Sequence, residues 1–341
     1  MPRCILIFVI SIFAMVLLSR GMTAVAANDG MFQEQYVYLF SYFTNERDGL
    51  KLCYSNDLYN WTDILGSHLC PRIGDRIMRD PFIQHASNGT FHLVWTTGWA
   101  RKDIGYSSSK DLVHWTKQRL IPVMAHEKMA RNCWAPKIFY VESEKKWLIL
   151  WSTWIDDGSL PAPEEPKTRK NHRIYYATTT DFVTFSKAKK YFDPGHSCID
   201  AYLLIDDKEY VLFYKDEREN EGKVLDPEHQ NIHYARGPSP YGPFTNLSPA
   251  ITSQNGATWF NEGPCAIKIG REYLVYYDHH SDVPVPKYYG AVKSTDLKNW
   301  TDVSHLMSFP PGTKHGSIIK VKASCLAALQ SKASTNSLRR K

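Results

Sequence analysis

The sequence has no segment with a long helical period, no large excess of either charge and, past its first residues, no apolar run long enough to cross a bilayer. The first absence points away from helical and α/β folds. The second matters for partners. Of the formal net charge of +6, two units come from Arg3 and Arg20, and three basic residues crowd the C-terminal "LRRK". The body between is close to neutral, which excludes a nucleic-acid footprint. Histidines at zinc-ligand spacing are also missing, since His196, His279 and His280 are irregularly placed.

What is present begins with an address. Arg3, the apolar run "CILIFVISIFAMVLL" and the small residues of "TAVAA" have the order of a signal peptide over residues 1–27. The reading that follows is of a secreted or periplasmic protein with no stable membrane span once the signal is removed. Roughly 310 residues then remain, enough for one large domain or two small ones. Residues 28–322 are read as one domain, and 323–341 as a disordered basic tail. Export permits disulfides, and of seven cysteines Cys53 and Cys70, flanking one predicted hairpin, are the pair expected to bridge. Sequons stand at Asn60, Asn88, Asn246 and Asn299.

The domain repeats itself. "YSNDLYNW" (54–61), "YSSSKDLVHW" (106–115), "YATTTDFVTF" (176–185), "YARGPSPYGPF" (234–244) and "AVKSTDLKNW" (291–300) share a short strand, a polar turn and an aromatic that opens the next strand. Pairs of β-rich runs such as "AIKI…EYLVYY" precede them. Recurrence every 55–70 residues or so predicts an all-β, five-bladed β-propeller. A β-sandwich would not reuse one turn motif. The lone strand "HGSIIKV" (315–321) is predicted to pair with the N-terminal blade, closing the ring and removing two sheet edges.

The first strand of each unit opens on a signature: "RDPF" (79–82), "CWAP" (133–136), "SCIDAY" (197–202), "NEGP" (261–264) and "KHGS" (314–317). In a propeller these strands line the axis, so Asp80, Trp134, Asp200, Glu262 and His315 are expected at equivalent points around one mouth. Taken singly, Asp before Pro or Glu before Gly-Pro is an ordinary turn or loop entry. Three carboxylates in one cup repel, and such a cup implies a use.

With these motifs in order, the chain resembles glycoside hydrolase family 43, inverting five-bladed propeller enzymes, over nearly all of residues 36–321. The resemblance implies Asp80 as general base, Asp200 as the residue that positions and tunes the acid, and Glu262 as general acid. Ala201 stands where the family often has proline, which leaves the carboxylate intact. No Asp-Pro-Asn nucleophile motif of the related invertases is found, so fructoside chemistry is not expected. Cleavage with inversion needs a proton for the leaving oxygen and a base for water, with the two carboxyls about 6.5–9.5 Å apart.

The loops returning to the same mouth carry Trp99, Trp154, "DDGSLPAPEEPKTRKNH" (156–172), "KDERENEG" (215–222) and "HHSD" (279–282). Arg79, Trp99, Trp134, Trp154, Lys215 and His279 are the expected sugar contacts, although Trp99 and Trp154 would equally serve to pack beneath long loops. By resemblance His315 is a candidate neighbour, through water, of a structural calcium in the channel. No cofactor is required for the reaction. A monomer acting on α-L-arabinofuranosides is expected, with β-xylosides and β-galactosides next and a non-catalytic carbohydrate-binding propeller as the other class.

Overall fold

A computed structural model describes residues 35–156, 158, 171–206, 209–219, 226–252, 260–280 and 288–338. The expected signal peptide lies outside these residues, as does much of the predicted loops at 156–172, 215–222 and 279–282.

The strands form five sheets. The first contains β1 (Tyr36–Phe43), β2 (Leu50–Ser55) and β3 (Thr62–Leu69). The second contains β4 (Arg79–His85), β5 (Phe91–Thr96), β6 (Ile104–Ser109) and β7 (Arg119–Ile121). The third is β8 (Trp134–Val141), β9 (Lys146–Trp154), β10 (His172–Thr179) and β11 (Lys189–Phe192). The fourth has three strands among the described residues: β12 (Cys198–Ile205), β13 (Tyr210–Asp216) and β14 (Ile232–Gly237). Its "RGPSPYGPF" segment ends in an isolated bridge between Arg236 and Thr245 instead of a fourth strand. The fifth is β15 (Phe260–Ile269), β16 (Glu272–His280), β17 (Tyr288–Ser294) and β18 (Thr301–Asp302).

The ring closes as predicted. β19 (Lys314–Lys322) pairs antiparallel with β1 from Tyr36↔Lys322 to Phe43↔Lys314, giving the first blade the order β19-β1-β2-β3. The five-bladed β-propeller expected from the repeats is the fold.

The repeated turn has one physical cause in four of the blades. Asp57, Asp111, Asp181 and Asp296 each accept, at one carboxylate oxygen, the backbone N–H groups two and three residues on, at 2.7–2.9 Å. The residue after each Asp has positive φ (Leu58 71°, Leu112 62°, Phe182 55°, Leu297 60°) and is buried. The turn thus swings an apolar side chain inward, and the aspartate satisfies backbone donors that no strand can pair.

Two expectations are corrected. Residues 323–338 are not a loose tail but helix α1 (Ala323–Leu338). Leu326 and Leu329, one turn apart, are buried in a core shared with the first two blades, and Lys332 Nζ donates to the Val113 carbonyl at 2.6 Å. Cys53 and Cys70 are not bridged. In the β2–β3 ladder Cys53 faces Asp63, whereas Leu50 faces Leu69. Cys70 therefore lies past the far end of the hairpin, exposed, while Cys53 is buried.

Replacing one turn aspartate should cost stability without touching the axis. Asp111→Ala is expected to lose about 1 kcal/mol, as loss of a capping side chain does, and to lower Tm by roughly 2–4 °C, read by calorimetry. An unchanged Tm would mean that the turn holds without its side-chain acceptor.

Candidate active site

Every innermost strand is bulged at the same place. Two residues oppose one between Arg79 and Phe82, between Trp134 and Lys137, between Ile199 and Tyr202, and between Glu262 and Cys265. The first bulge residue is left-handed in each: Asp80 (φ 52°), Ala135 (47°), Asp200 (59°) and Gly263 (61°). Opposite each bulge sits one large buried aromatic, Trp95, Trp151, Tyr214 or Tyr277. In the first blade His315 and Gly316 oppose Tyr42 in the same manner.

This register corrects the expectation that the three acids are equivalent. Asp80 and Asp200 are themselves the left-handed residues, an arrangement that costs about 1–2 kcal/mol for an L-residue and that Asp bears better than most. Glu262 stands one position earlier, level with Arg79, Trp134 and Ile199. The acids therefore occupy two depths. Asp80 and Asp200 are 4% and 2% exposed, whereas the Glu262 side chain retains 18%. Glu262 and Arg79 border a cleft of about 960 Å³ that runs along Asp278, Tyr288 and Tyr289 to Phe309 and Lys314.

The glycine after Glu262 is required twice over. Its φ is +61°, and a Cβ there would lie 2.6 Å from the His315 ring. His315 is the hub of the cup. Its Nδ1 is 3.0 Å from Asp80 Oδ1, and its Nε2 is 3.1 Å from Glu262 Oε1, 3.8 Å from Asp200 Oδ2 and 3.9 Å from Asp278 Oδ2. These are charge contacts more than aligned hydrogen bonds. Burial opposes a charge on the ring, but Asp200, Asp80 and Glu262 together raise the imidazole well above its ordinary value. The surrounding carboxylates favour the protonated ring.

The remaining contacts divide the labour between the carboxylates. Asp80 Oδ2 accepts the Thr96 hydroxyl at 2.7 Å. Burial would raise the Asp80 carboxyl, but His315, Arg79 and Thr96 outweigh it and hold it below the usual carboxylate range. Asp200 Oδ2 accepts the Gly263 N–H at 2.9 Å, and the Asp200 N–H donates to Ser152 Oγ at 3.0 Å. Burial, then Glu262 and Asp80, push the Asp200 carboxyl up. Asp200, Glu262 and His315 each bring one polar atom within 4.8 Å of the others. Lys215 Nζ donates to Glu262 Oε2 at 2.8 Å and is 4% exposed. Burial opposes its charge, and Glu262 restores it.

The second strands supply residues that sequence reasoning missed. Thr96, Ser152, Lys215 and Asp278 pair with Arg79, Trp134, Ile199 and Glu262. Of these only Lys215 was expected, as a sugar contact; here its Nζ is bonded to Glu262. The signal was there, because each follows the buried aromatic of its repeat in "WT", "WS", "YK" and "YD".

The other expected sugar contacts separate. Arg79 lies over the Trp99 ring at 4.3 Å and the Phe43 ring at 5.0 Å. Trp134 meets Trp99 edge-on at 5.7 Å, and its Nε1 donates to the Trp99 carbonyl at 2.9 Å. These three form an aromatic and cationic wall, with Trp99 53% exposed. Behind Trp134 lies a buried set not anticipated: His172 at 4.8 Å, bonded to Glu217 and Asn132 at 2.8 Å each. Trp154 is half-buried at the end of β9. His279 is 3% exposed, bonded to Asn261 and stacked on Tyr288. It alternates away from Asp278 and does not join the cup.

Both ring nitrogens of His315 face carboxylates, so the ring is not placed as a direct ligand of a calcium ion; the expected contact is one through water, with Asp200 and Glu262 beside it.

A five-bladed propeller with acids gathered at one mouth defines a class of carbohydrate-active folds. A family profile described as a probable glycosyl hydrolase domain, related to family 43, matches residues 34–325, and the chain belongs to that family of glycoside hydrolases. It is 23% identical over 221 residues to an α-L-arabinofuranosidase of Bifidobacterium longum, covering 57% of this chain and 21% of that protein. The chain thus spans about a fifth of the length of this curated relative. Among solved structures it resembles a thermostable family-43 glycoside hydrolase (TM-score 0.51, 21% identity, 66% of this chain and 71% of the other). It also resembles an endo-arabinase from Bacteroides thetaiotaomicron (TM-score 0.52, 14% identity, 67% and 80%). At these identities the likeness concerns fold.

The two perturbed charges give stability a defined pH window. A raised histidine stabilises fully below its unfolded value near about 6.5, and the contribution is lost as pH rises through the folded value. A depressed Asp80 stabilises above about pH 4, and that is lost as pH falls. Unfolding free energy from denaturant titrations should be highest between these limits and decline on the alkaline side. His315→Gln should abolish the alkaline decline. A decline that persists in the variant would place its origin elsewhere.

Proposed function

We propose that the chain is an exported, inverting exo-glycosidase that removes terminal α-L-arabinofuranosyl groups from polysaccharide or oligosaccharide side chains. The observation that carries this reading is the placement of Asp80 and Glu262 against opposite nitrogens of one imidazole ring. That bounds their separation at a span reaching into the roughly 6.5–9.5 Å that inversion needs to seat a water. The substrate rests on a narrower base, the name of the Bifidobacterium relative. β-Xylosides and β-galactosides are the alternatives a substrate panel must include.

In this reading Asp80, ionised and oriented by Thr96, takes the proton of the attacking water. Glu262, at the cleft, protonates the leaving oxygen. Its resting contacts, Lys215 and His315, favour the carboxylate. Sugar binding between Glu262 and the Trp99–Trp134 wall displaces water from Glu262 and favours its neutral form. Asp200, Glu262 and His315 are the group that would hold a channel calcium, His315 through water. Exhaustive chelation should then lower Tm or turnover, and unchanged values with no metal found by mass spectrometry would remove the cation.

Proton NMR of the first product decides the stereochemistry: an inverted anomer is expected, and a retained one would overturn the role of Asp80. Asp80→Asn keeps the left-handed backbone and the Thr96 contact, and should lower turnover by a factor on the order of 10² or more while oligosaccharide binding by calorimetry survives. Equal turnover in both proteins would leave a binding propeller. Glu262→Ala should cripple natural glycosides far more than dinitrophenyl glycosides, whose leaving group needs no proton. Equal losses on both would make Glu262 a binding residue.

A further inference from the structure

Below the acidic cup, the axis carries a charge that the mechanism does not use. Lys137, on β8, is 0% exposed, and its Nζ has no hydrogen-bond partner among the described residues. The other fully enclosed lysine of the central strands, Lys215, has Glu262 at 2.8 Å. Among the described residues, Lys137 Nζ lies over the face of the Phe82 ring, 5.3 Å from its centroid.

Its position on the axis follows from which blades meet there. Phe82 of the second blade lies 6.0 Å from Tyr202 of the fourth, centroid to centroid. Lys137 of the third blade acts electrostatically on Cys265 of the fifth. Side chains reach non-neighbouring blades only across the axis. Phe82, Lys137, Tyr202 and Cys265 are also the residues directly after the bulges of their four strands, so one level of the channel gathers them.

None of these neighbours can neutralise the ammonium. Burial pushes the Cys265 thiol up to about 12 and the Tyr202 phenol well above its usual value, so both keep their protons, and the hydroxyl and thiol bond to one another. The level therefore holds a cation, two neutral X–H groups and an aromatic ring. A buried ion is strongly disfavoured unless paired, and the missing charge must be small enough to sit among four side chains.

We propose that the axial channel binds a small monovalent anion, chloride in kind, at Lys137 Nζ, tying together the inner strands of the second to fifth blades. The site is separate from the hydrolytic cup and does not depend on its chemistry.

The test uses the full chain and halide salts. Thermal unfolding in chloride, against gluconate at equal ionic strength, should show a saturable rise in Tm on the order of 2–4 °C. Lys137→Met should remove that difference, and the bromide form of wild-type crystals should give an anomalous peak in contact with Nζ. If the variant fails to fold, the wild-type diffraction and salt comparison stand alone. Equal Tm in both salts with water at Nζ would overturn the proposal. So would an adventitious ion only, seen as a bromide peak with no effect on Tm, or a chloride effect that survives in Lys137→Met.

Discussion

Carboxylates gathered at the mouth of one channel repel, and the architecture depends on how that repulsion is answered. Asp80, Asp200, Glu262 and Asp278 surround the single imidazole ring of His315, with Lys215 bracing Glu262 from the other side. That ring comes from β19, the strand that also closes the propeller against β1. Closure and electrostatic balance are thus one event: an open ring would have its acids without their counter-charge. Gly263 completes the arrangement, since any side chain there would occupy the space of the histidine ring.

The bulges explain how similar sequences yield unlike roles. In four of the five inner strands a left-handed residue at the mouth turns toward the depth of the cup and leaves its predecessor at the rim. Where the left-handed residue is aspartate, the acid is buried, as with Asp80 and Asp200. Where it is glycine, the acid before it stays at the cleft, as with Glu262. One backbone device, used with two residue types, separates a base from an acid.

The propeller was legible because the Asp-centred turn recurs and each copy performs the same backbone task. The three acids were legible because their strands open each repeat. Their two depths were not, since a bulge shifts register by one residue without altering the hydrophobic pattern. Thr96, Ser152 and Asp278 were missed because a polar residue at a strand end reads as solvated until its opposite number is known. Helix α1 was missed because Leu326 and Leu329 are a short apolar signal amid polar residues. The Cys53–Cys70 pairing failed for a matter of ladder length that spacing along the chain does not reveal.

The propeller begins and ends at one point, for the Ala323 N–H donates to the Gln35 carbonyl at 2.8 Å. The chain's order around the ring is therefore a matter of convention. A short linker from the first helical turn of α1 back to β1, with new termini cut at an outer turn such as that of Asp181, would leave every blade contact available. Such a circular permutant would place the histidine strand between other blades in the sequence, where ring closure no longer waits for the last strand of the propeller.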